Sequence, residues 1–486
     1  MNAPLRKLSA VVTVLFLALF GSSSVIQFVQ AQALNNRPGN ARTVYKEYSR
    51  ERGPIVAGNV TLATSKPSND LYRFQRAYPS GPLYTAVTGY YSTALAAATG
   101  IEASQSPYLA GTADQLFYRR ISDILTGRQP KGASVELTIN PKAQQAAWDA
   151  LGNQRGAVVA LDPRTGAVLA MVSKPAFDPN KLASHSRAAA QSAYNTLVKS
   201  ASRPLENRAI AGSLYPPGST FKLIVSAAAL SSGSYTPDTL VPGPAQLDLR
   251  PDTLVPLNND DRQPCGPNDQ VRLADALRIS CNTAFGSLGD TLGAKAIADQ
   301  AARFGFGRPL QIPLTVTPSR FPQTQGKAQL AQASIGQFDV RTTPLQMAMV
   351  AAGIANRGVV MQPYLVNRIR SSDLDTVSTA DPTPFSTAVT PEVAGQLTSM
   401  MEGVVQSGTG VNAQIPGVRV AGKTGTAQTA PGQAPDAWFT SFAPADDPKI
   451  AVAVIVENGG GFGEAASGGR VAAPIARAVM EAVVKP

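Results

Sequence analysis

One histidine, His185, stands in the whole chain. That scarcity removes any multi-histidine metal centre and leaves a Ser-His-Asp triad a single candidate base. Cysteine is nearly as rare: Cys265 and Cys281 alone cannot build a disulfide scaffold or a cysteine-rich zinc site. Aromatic residues make up 6% of the chain and no block of five or more basic residues occurs, so nucleic acid is not an expected partner. No repeat with a period of about 20–50 residues is found, and no low-complexity tail. Catalysis, if there is any, must run on Ser, Lys, Asp, Glu or Tyr.

What is present suits a folded chain of more than one domain. Its 486 residues exceed the ~250–300 that a single core usually serves. The 44% hydrophobic and 15% charged content is that of a globular protein. Lys and Arg number 43 against 32 Asp and Glu, giving a net charge of +11. Such a balance favours anionic partners, or else serves only as a solubilising surface bias.

Arg6 and Lys7 precede a charge-free stretch from Leu8 to Asn36. Its Leu8–Val29 part is long enough to cross the ~30 Å hydrocarbon core as a helix. The basic residues ahead of it place the N-terminus in the cytoplasm and the rest of the chain outside, at the cell membrane. Ala31-Gln32-Ala33 also fits a signal-peptide cleavage pattern, so an uncleaved anchor and a cleaved leader both stay open. The bulk of the chain is exported on either reading. In that setting a Cys265–Cys281 bridge is favoured over two free buried thiols.

Arg52-Gly53-Pro54-Ile55 reads as a turn into a short strand, residues 61–130 as a small irregular β-rich module, and Gly127–Gly132 as a boundary loop. Val135–Ile139 alternates as a strand, and Pro141–Leu151 fits a helix with Pro in its first turn. Ala157–Asp162 and Ala167–Val172 flank Pro163-Arg-Thr-Gly166, a hairpin signature. Trp438–Phe442 and Lys449–Val456 read as further strands, and Pro474–Val484 as a closing helix. Together these predict an α+β sandwich around a mainly antiparallel sheet.

Three short motifs carry chemistry. In Pro216-Pro-Gly-Ser-Thr-Phe-Lys222, Ser219 stands where an apolar helical run begins, and Lys222 lies one turn along the same face. Buried there, the amine should lose proton affinity and could take the Ser219 proton; a capping serine with a snorkelling lysine is the plainer alternative. Ser280-Cys-Asn282 can point a hydroxyl and an amide into one cleft. Val418–Thr426 reads as a strand ending in Lys423-Thr424-Gly425-Thr426, where Gly425 leaves room for a substrate backbone and the cation and hydroxyls could hold a carboxylate. The same letters, Gly417-Val-Arg-Val-Ala-Gly422-Lys423-Thr424, satisfy the phosphate-loop pattern. That pattern needs a helix after it, and Ala427–Pro435 cannot supply one.

Ser219-x-x-Lys222, Ser280-x-Asn282 and Lys423-Thr-Gly425, in that order, match the signature of penicillin-binding proteins and serine β-lactamases. The chain resembles the class B, monofunctional penicillin-binding proteins, and within them the penicillin-binding protein A group of actinobacteria. Arg52-Gly53-x-Ile55, Leu137-Thr-Ile-Asn140, Ile335-Gly-Gln337, Thr343-Pro-Leu-Gln346, Ala355-Asn-Arg-Gly358 and Ala437-Trp-Phe439 extend the likeness over nearly the whole length. It implies an anchor in 1–33, an N-terminal pedestal or dimerisation-like module in 34–132, and a transpeptidase domain in 133–486 with the β-lactamase-like sandwich. The implied enzyme is a D,D-transpeptidase acting in cell-wall synthesis, cell shape and division. Ser219 would attack the penultimate D-Ala carbonyl of a peptidoglycan stem peptide, with Lys222 as base and release of D-Ala. Ser280 would relay protons, Asn282 would orient the peptide, and Lys423, Thr424 and Thr426 would hold its carboxylate. The amides of Ser219 and Thr426 would form the oxyanion hole. β-Lactams would acylate the same serine, and no metal or organic cofactor is called for.

About 100 residues separate Asn35 from Gly132, too few for the glycosyltransferase domain of class A relatives. Polymerisation would then fall to a RodA/FtsW-type membrane partner. Rival readings on the same trio are a serine β-lactamase or D,D-carboxypeptidase and, more remotely, a β-lactam-sensing receptor.

Overall fold

The computed structural model describes residues 2–30, 49–129, 131–212, 214–430 and 432–485. The cleavage pattern at 31–33 lies outside them. Two compact units are distinguished: Met1–Glu51 with Lys66–Gln75, and Arg52–Ser65 with Arg76–Pro486.

The first unit contains the helix Asn2–Ser24, prolonged by a π turn over Val25–Val29. From Ala3 to Gln27 it is long and apolar enough to cross a membrane. Its Leu15, Phe16, Leu17 and Leu19 are all exposed, an apolar surface all round that water does not favour.

The second unit is centred on a five-stranded sheet. Its strands are β1 (Gly156–Leu161), β2 (Val168–Lys174), β3 (Ala421–Ala427), β4 (Asp436–Ala443) and β5 (Ile450–Val456), in the order β3-β4-β5-β1-β2 with every neighbour antiparallel. The β1–β2 hairpin turns where Asp162 and Gly166 close a 2.9 Å backbone bond. β5 reads Ile-Ala-Val-Ala-Val-Ile-Val and is buried throughout, because both faces of the sheet are covered.

The helices around it are α1 (Pro141–Leu151), α2 (Lys222–Ser231), α3 (Asn282–Arg303), α4 (Pro344–Ala355), α5 (Pro391–Ser407) and α6 (Ala473–Val484); α1, α4, α5 and α6 lie against the sheet, and α2 packs on α3 and α5. Alternate strand residues feed two cores. Val158, Ala160, Val452 and Val454 pack with Ala143 and Leu151 of α1 and Ile475 and Val479 of α6. Val159, Ala451, Ala453 and Ile455 pack with Leu223 and Ile224 of α2 and Met347 and Val350 of α4. Each large aliphatic side chain buried this way contributes ~1.5–3 kcal/mol. Helix starts are set by side-chain caps ahead of a proline: Asn140 accepts from the Lys142 and Ala143 amides, Thr343 from Gln346, and Thr390 from Val393.

A second, six-stranded sheet places Ser134–Leu137 beside Ile55–Ala57 in parallel and beside Val366–Arg370 antiparallel. It thus draws on segments far apart in sequence. Short helices between Gly81 and Thr126 accompany its strands, which the apolar pattern of that region did not mark. Arg52 and Arg76 clasp Glu102, which is fully buried, and Gly53 has no room for a Cβ because the Ala133 carbonyl occupies that space. The Arg52-Gly53 pair is therefore explained by packing and charge.

Candidate active site

Pro216 and Pro217 prevent a helix from starting early, and Gly218 takes a left-handed φ of 53° against the Thr426 carbonyl. A 3-10 turn, Gly218–Phe221, then leads into α2. Ser219 lies in that turn, one turn ahead of the α-helix rather than at its cap, and Lys222 is the first residue of α2. The turn is braced on three sides. The Gly218 amide donates to the Gly336 carbonyl at 3.0 Å, and Tyr215 exchanges backbone bonds of 3.0 and 2.8 Å with Thr342. The Tyr215 hydroxyl donates to Glu457 at 2.7 Å, and Glu457 also receives Arg208 at 2.7 Å and pairs with Arg155. These contacts give the Ile335-Gly-Gln337 and Thr343-Pro segments a place beside the Ser219 turn.

Lys222 is completely buried. Its amine donates to the Ser280 carbonyl at 2.7 Å, to Asn282 Oδ1 at 2.7 Å and to the Ser280 hydroxyl at 3.4 Å. Burial, and then the charge of Lys423, hold this amine well below its ordinary pKa, with Asp260 opposing. Lys423, equally buried, reaches the Ser280 hydroxyl at 2.9 Å, the Thr424 carbonyl at 3.0 Å and the Thr424 hydroxyl at 3.4 Å. Burial lowers it from 10.5 to about 7, again with Asp260 opposing. The Ser280 hydroxyl thus stands between two amines that burial makes easier to deprotonate.

Ser280 reaches that position through a left-handed backbone, φ 65°, at the end of helix Leu273–Ile279. A non-glycine residue held so is strained locally. Cys281 follows, joined to Cys265 by a disulfide, and caps α3 through its sulfur. Asn282 differs from expectation. It is turned to Lys222 through Oδ1, while Nδ2 donates to Asp260 at 2.9 Å and to the Asn258 carbonyl at 3.3 Å. Its amide is thus engaged at both ends within the protein.

Gly425 also differs. A Cβ there would lie 2.8 Å from the Pro217 carbonyl and 3.0 Å from both Thr220 and Trp438. The room beside Gly425 is taken by the turn that carries Ser219, so the glycine lets the strand approach that loop. Thr424 shares a 2.6 Å hydroxyl bond with Thr409, and the half-exposed Thr426 sets its carbonyl against Gly218. β3 begins at Ala421 and not at Val418, since Ile415 and Val418 close a turn of their own; Lys423–Thr426 fall inside the strand. Gly422-Lys423-Thr424 therefore precede no helix, and the phosphate-loop pattern has no geometric counterpart. His185 sits in the bend before helix Arg187–Lys199.

The structure brings Lys222, Ser280, Asn282, Lys423 and Thr424 into one hydrogen-bonded cluster, beside the Ser219 turn. Sequence reasoning missed Tyr215, Asp260, Thr409 and Glu457. Tyr215 carried a faint signal, being close to Ser219 in sequence; the others carried none.

Comparison with known proteins places the chain in a family. A family model described as the penicillin binding protein transpeptidase domain matches residues 156–481, and one described as the penicillin binding protein A dimerisation domain matches residues 52–135. The chain is 44% identical to the peptidoglycan D,D-transpeptidase PbpA of Mycolicibacterium smegmatis, over 100% of this chain and 99% of that protein. Penicillin-binding protein A of M. tuberculosis, solved as a ceftriaxone acyl-enzyme, superposes with a TM-score of 0.88 at 44% identity, covering 91% of this chain and 100% of that one. Its penicillin G acyl-enzyme gives 0.84, covering 89% and 99%.

Proposed function

The chain belongs to the penicillin-binding protein transpeptidase family and is a peptidoglycan D,D-transpeptidase, and from that premise we propose how its own residues divide the work. Ser219 is the nucleophile. Lys222, neutral because it is buried beside another cation, takes the Ser219 proton as the hydroxyl attacks the penultimate D-Ala carbonyl. The amides of Ser219 and Thr426 receive the developing oxyanion. As the C–N bond breaks, a proton passes to the departing D-Ala amine through the Ser280 hydroxyl, which both lysines can reach. Lys423, with Thr424 and Thr426, holds the terminal carboxylate. An acceptor amine from a neighbouring stem then attacks the ester, and its proton passes through Lys222 to the departing Ser219 oxygen, restoring the free hydroxyl and the neutral base. β-Lactams stop at the ester.

The observation that carries this reading is the Ser280 hydroxyl, 2.9 Å from one buried lysine amine and 3.4 Å from the other. The helix Asn2–Ser24 serves as the anchor, with the N-terminus cytoplasmic and the catalytic part outside. The working division of the chain is an anchor in 1–33, a pedestal in 34–132 and a catalytic part in 133–486. A RodA/FtsW-type glycosyltransferase is its membrane partner. Intact-mass spectrometry of residues 34–486 with benzylpenicillin tests the central step. One stable drug adduct, absent from Ser219→Ala, is expected. No adduct on demonstrably folded protein would sink the serine-acylation reading, and a transient adduct with rapid drug hydrolysis would point to a β-lactamase.

A further inference from the structure

Asp260 lies outside the three motifs, on a segment that the structure fastens to the start of α3. Asn259, which is buried, accepts from the Asn282 and Thr283 amides at 3.0 Å each and donates to the Pro244 and Gln263 carbonyls at 3.0 and 2.8 Å. The Asn258 carbonyl takes a further bond from Asn282. Asp260 is thereby fixed in place although its side chain is exposed. Its carboxylate accepts from Asn282 Nδ2 at 2.9 Å, and the other end of the same amide accepts from Lys222 at 2.7 Å. Two hydrogen bonds through one planar group therefore join a carboxylate at the surface to the buried amine that serves as base.

We propose that Asp260 is a positioning residue of the acylation: through Asn282 it holds the Lys222 amine in place, and it supplies the negative charge that the two buried lysines share. The inference rests on the proposed roles of Ser219 and Lys222. The charged groups that face the pair are few. From α2 comes Lys222, from β3 Lys423, and from the segment before α3 Asp260, which favours the protonated form of both lysines. Asp261 and Arg262 on that segment are exposed, and Asp261 is turned back to the Gln263 amide at 2.9 Å. Cys281, beside Ser280, is tied up in the disulfide and does not titrate.

The sign follows directly. A carboxylate near an ammonium raises the ammonium's pKa, so removing the charge lets both amines lose their protons at lower pH. Acylation needs a neutral Lys222 and, for carboxylate binding, a charged Lys423, so both limbs of its pH profile should move down together. Asp260→Asn keeps an oxygen able to accept from Asn282 and removes only the charge. The rate of acylation by a chromogenic cephalosporin should then show its whole pH profile displaced downward by roughly half a pH unit, the size expected for an exposed charge a few ångströms away. The displacement should shrink at high salt and be restored by Asp260→Glu. A profile that superimposes on the parent, or a uniform loss of rate at unchanged pH dependence, would overturn the proposal. Carbon-13 NMR titration of the lysine Cε signals, assigned with Lys222→Arg and Lys423→Arg, reads the same charge without any acylation. Unmoved lysine titrations in Asp260→Asn would refute the inference even if Ser219 proved not to be the nucleophile.

Discussion

Tyr215 and Glu457 lie 242 positions apart in sequence, yet the phenol donates to the carboxylate at 2.7 Å. Tyr215 is four residues ahead of Ser219, and Glu457 follows β5 directly. The bond ties the Ser219 turn to the sheet, with Arg208 and Arg155 balancing the charge.

Glu457→Gln should be much the more damaging change at this contact. It leaves the fully buried Arg208 without its anion, a loss of about 3–5 kcal/mol, whereas Tyr215→Phe removes one hydrogen bond to a charged group, about 1.5–3 kcal/mol. Urea denaturation of the soluble part compares the two. Equal losses would mean that Arg208 has another partner for its charge.

Asp436 sits at the start of β4 and accepts from the Asn458 amide at 2.9 Å. Burial raises its carboxyl from 3.8 to about 6. The folded state therefore keeps this proton longer than the unfolded chain does. The stability it contributes is full below the unfolded value and is lost as the pH climbs through about 6. Asp436→Asn should accordingly raise stability at pH 8 by up to about 3 kcal/mol and leave it nearly unchanged at pH 3.5. Thermal unfolding at the two pH values decides the matter; a variant equally stable or weaker at pH 8 contradicts the argument.

Gly425→Ala places a methyl 2.8 Å from the Pro217 carbonyl. Either β3 or the Ser219 turn must move. The cost of such overpacking is about 1–3 kcal/mol, and penicillin acylation should slow by at least tenfold because a displacement of Ser219, the proposed nucleophile, is felt directly. Parent-like acylation by Gly425→Ala would show that the turn tolerates the shift.

The Cys265–Cys281 disulfide ends on the residue between Ser280 and Asn282, both bonded to Lys222. Cutting it should cost roughly 3 kcal/mol in stability on a chain-entropy account. It should also slow β-lactam acylation. Unchanged acylation after reduction verified by mass would rule out the coupling.

Much of the fold could be read from the chain because local and global signals agree there. Pro141–Leu151 has Asn140 as its cap and Pro in its first turn, and the helix spans those residues. The β1–β2 hairpin follows from two apolar runs around a Pro/Gly turn. The boundary of β3 was misjudged because Val418 and Val420 look like strand residues, while the Ile415–Val418 turn depends on contacts that propensity does not record. The motif residues could be found because their chemistry is carried by residue type at short spacing. The partners of those residues could not. Asp260 matters through one amide it shares with Lys222, and Thr409 through one hydroxyl it shares with Thr424. Neither relation leaves a trace in spacing or periodicity.

β3 pairs on one side only, with β4, and so forms an edge of its sheet. An edge strand offers its hydrogen bonds to a visitor from alternate residues, which makes it a ruler with rungs about 6.8 Å apart. Nothing in a repeating backbone tells one rung from the next, and a peptide slipped by a single rung would carry its scissile bond out of Ser219's reach. In the mechanism proposed above, the lysine buried within this strand breaks that degeneracy. Gripping one chain end would convert a repetitive edge into a single stop, so faithful cleavage becomes a matter of where the ruler's zero is set.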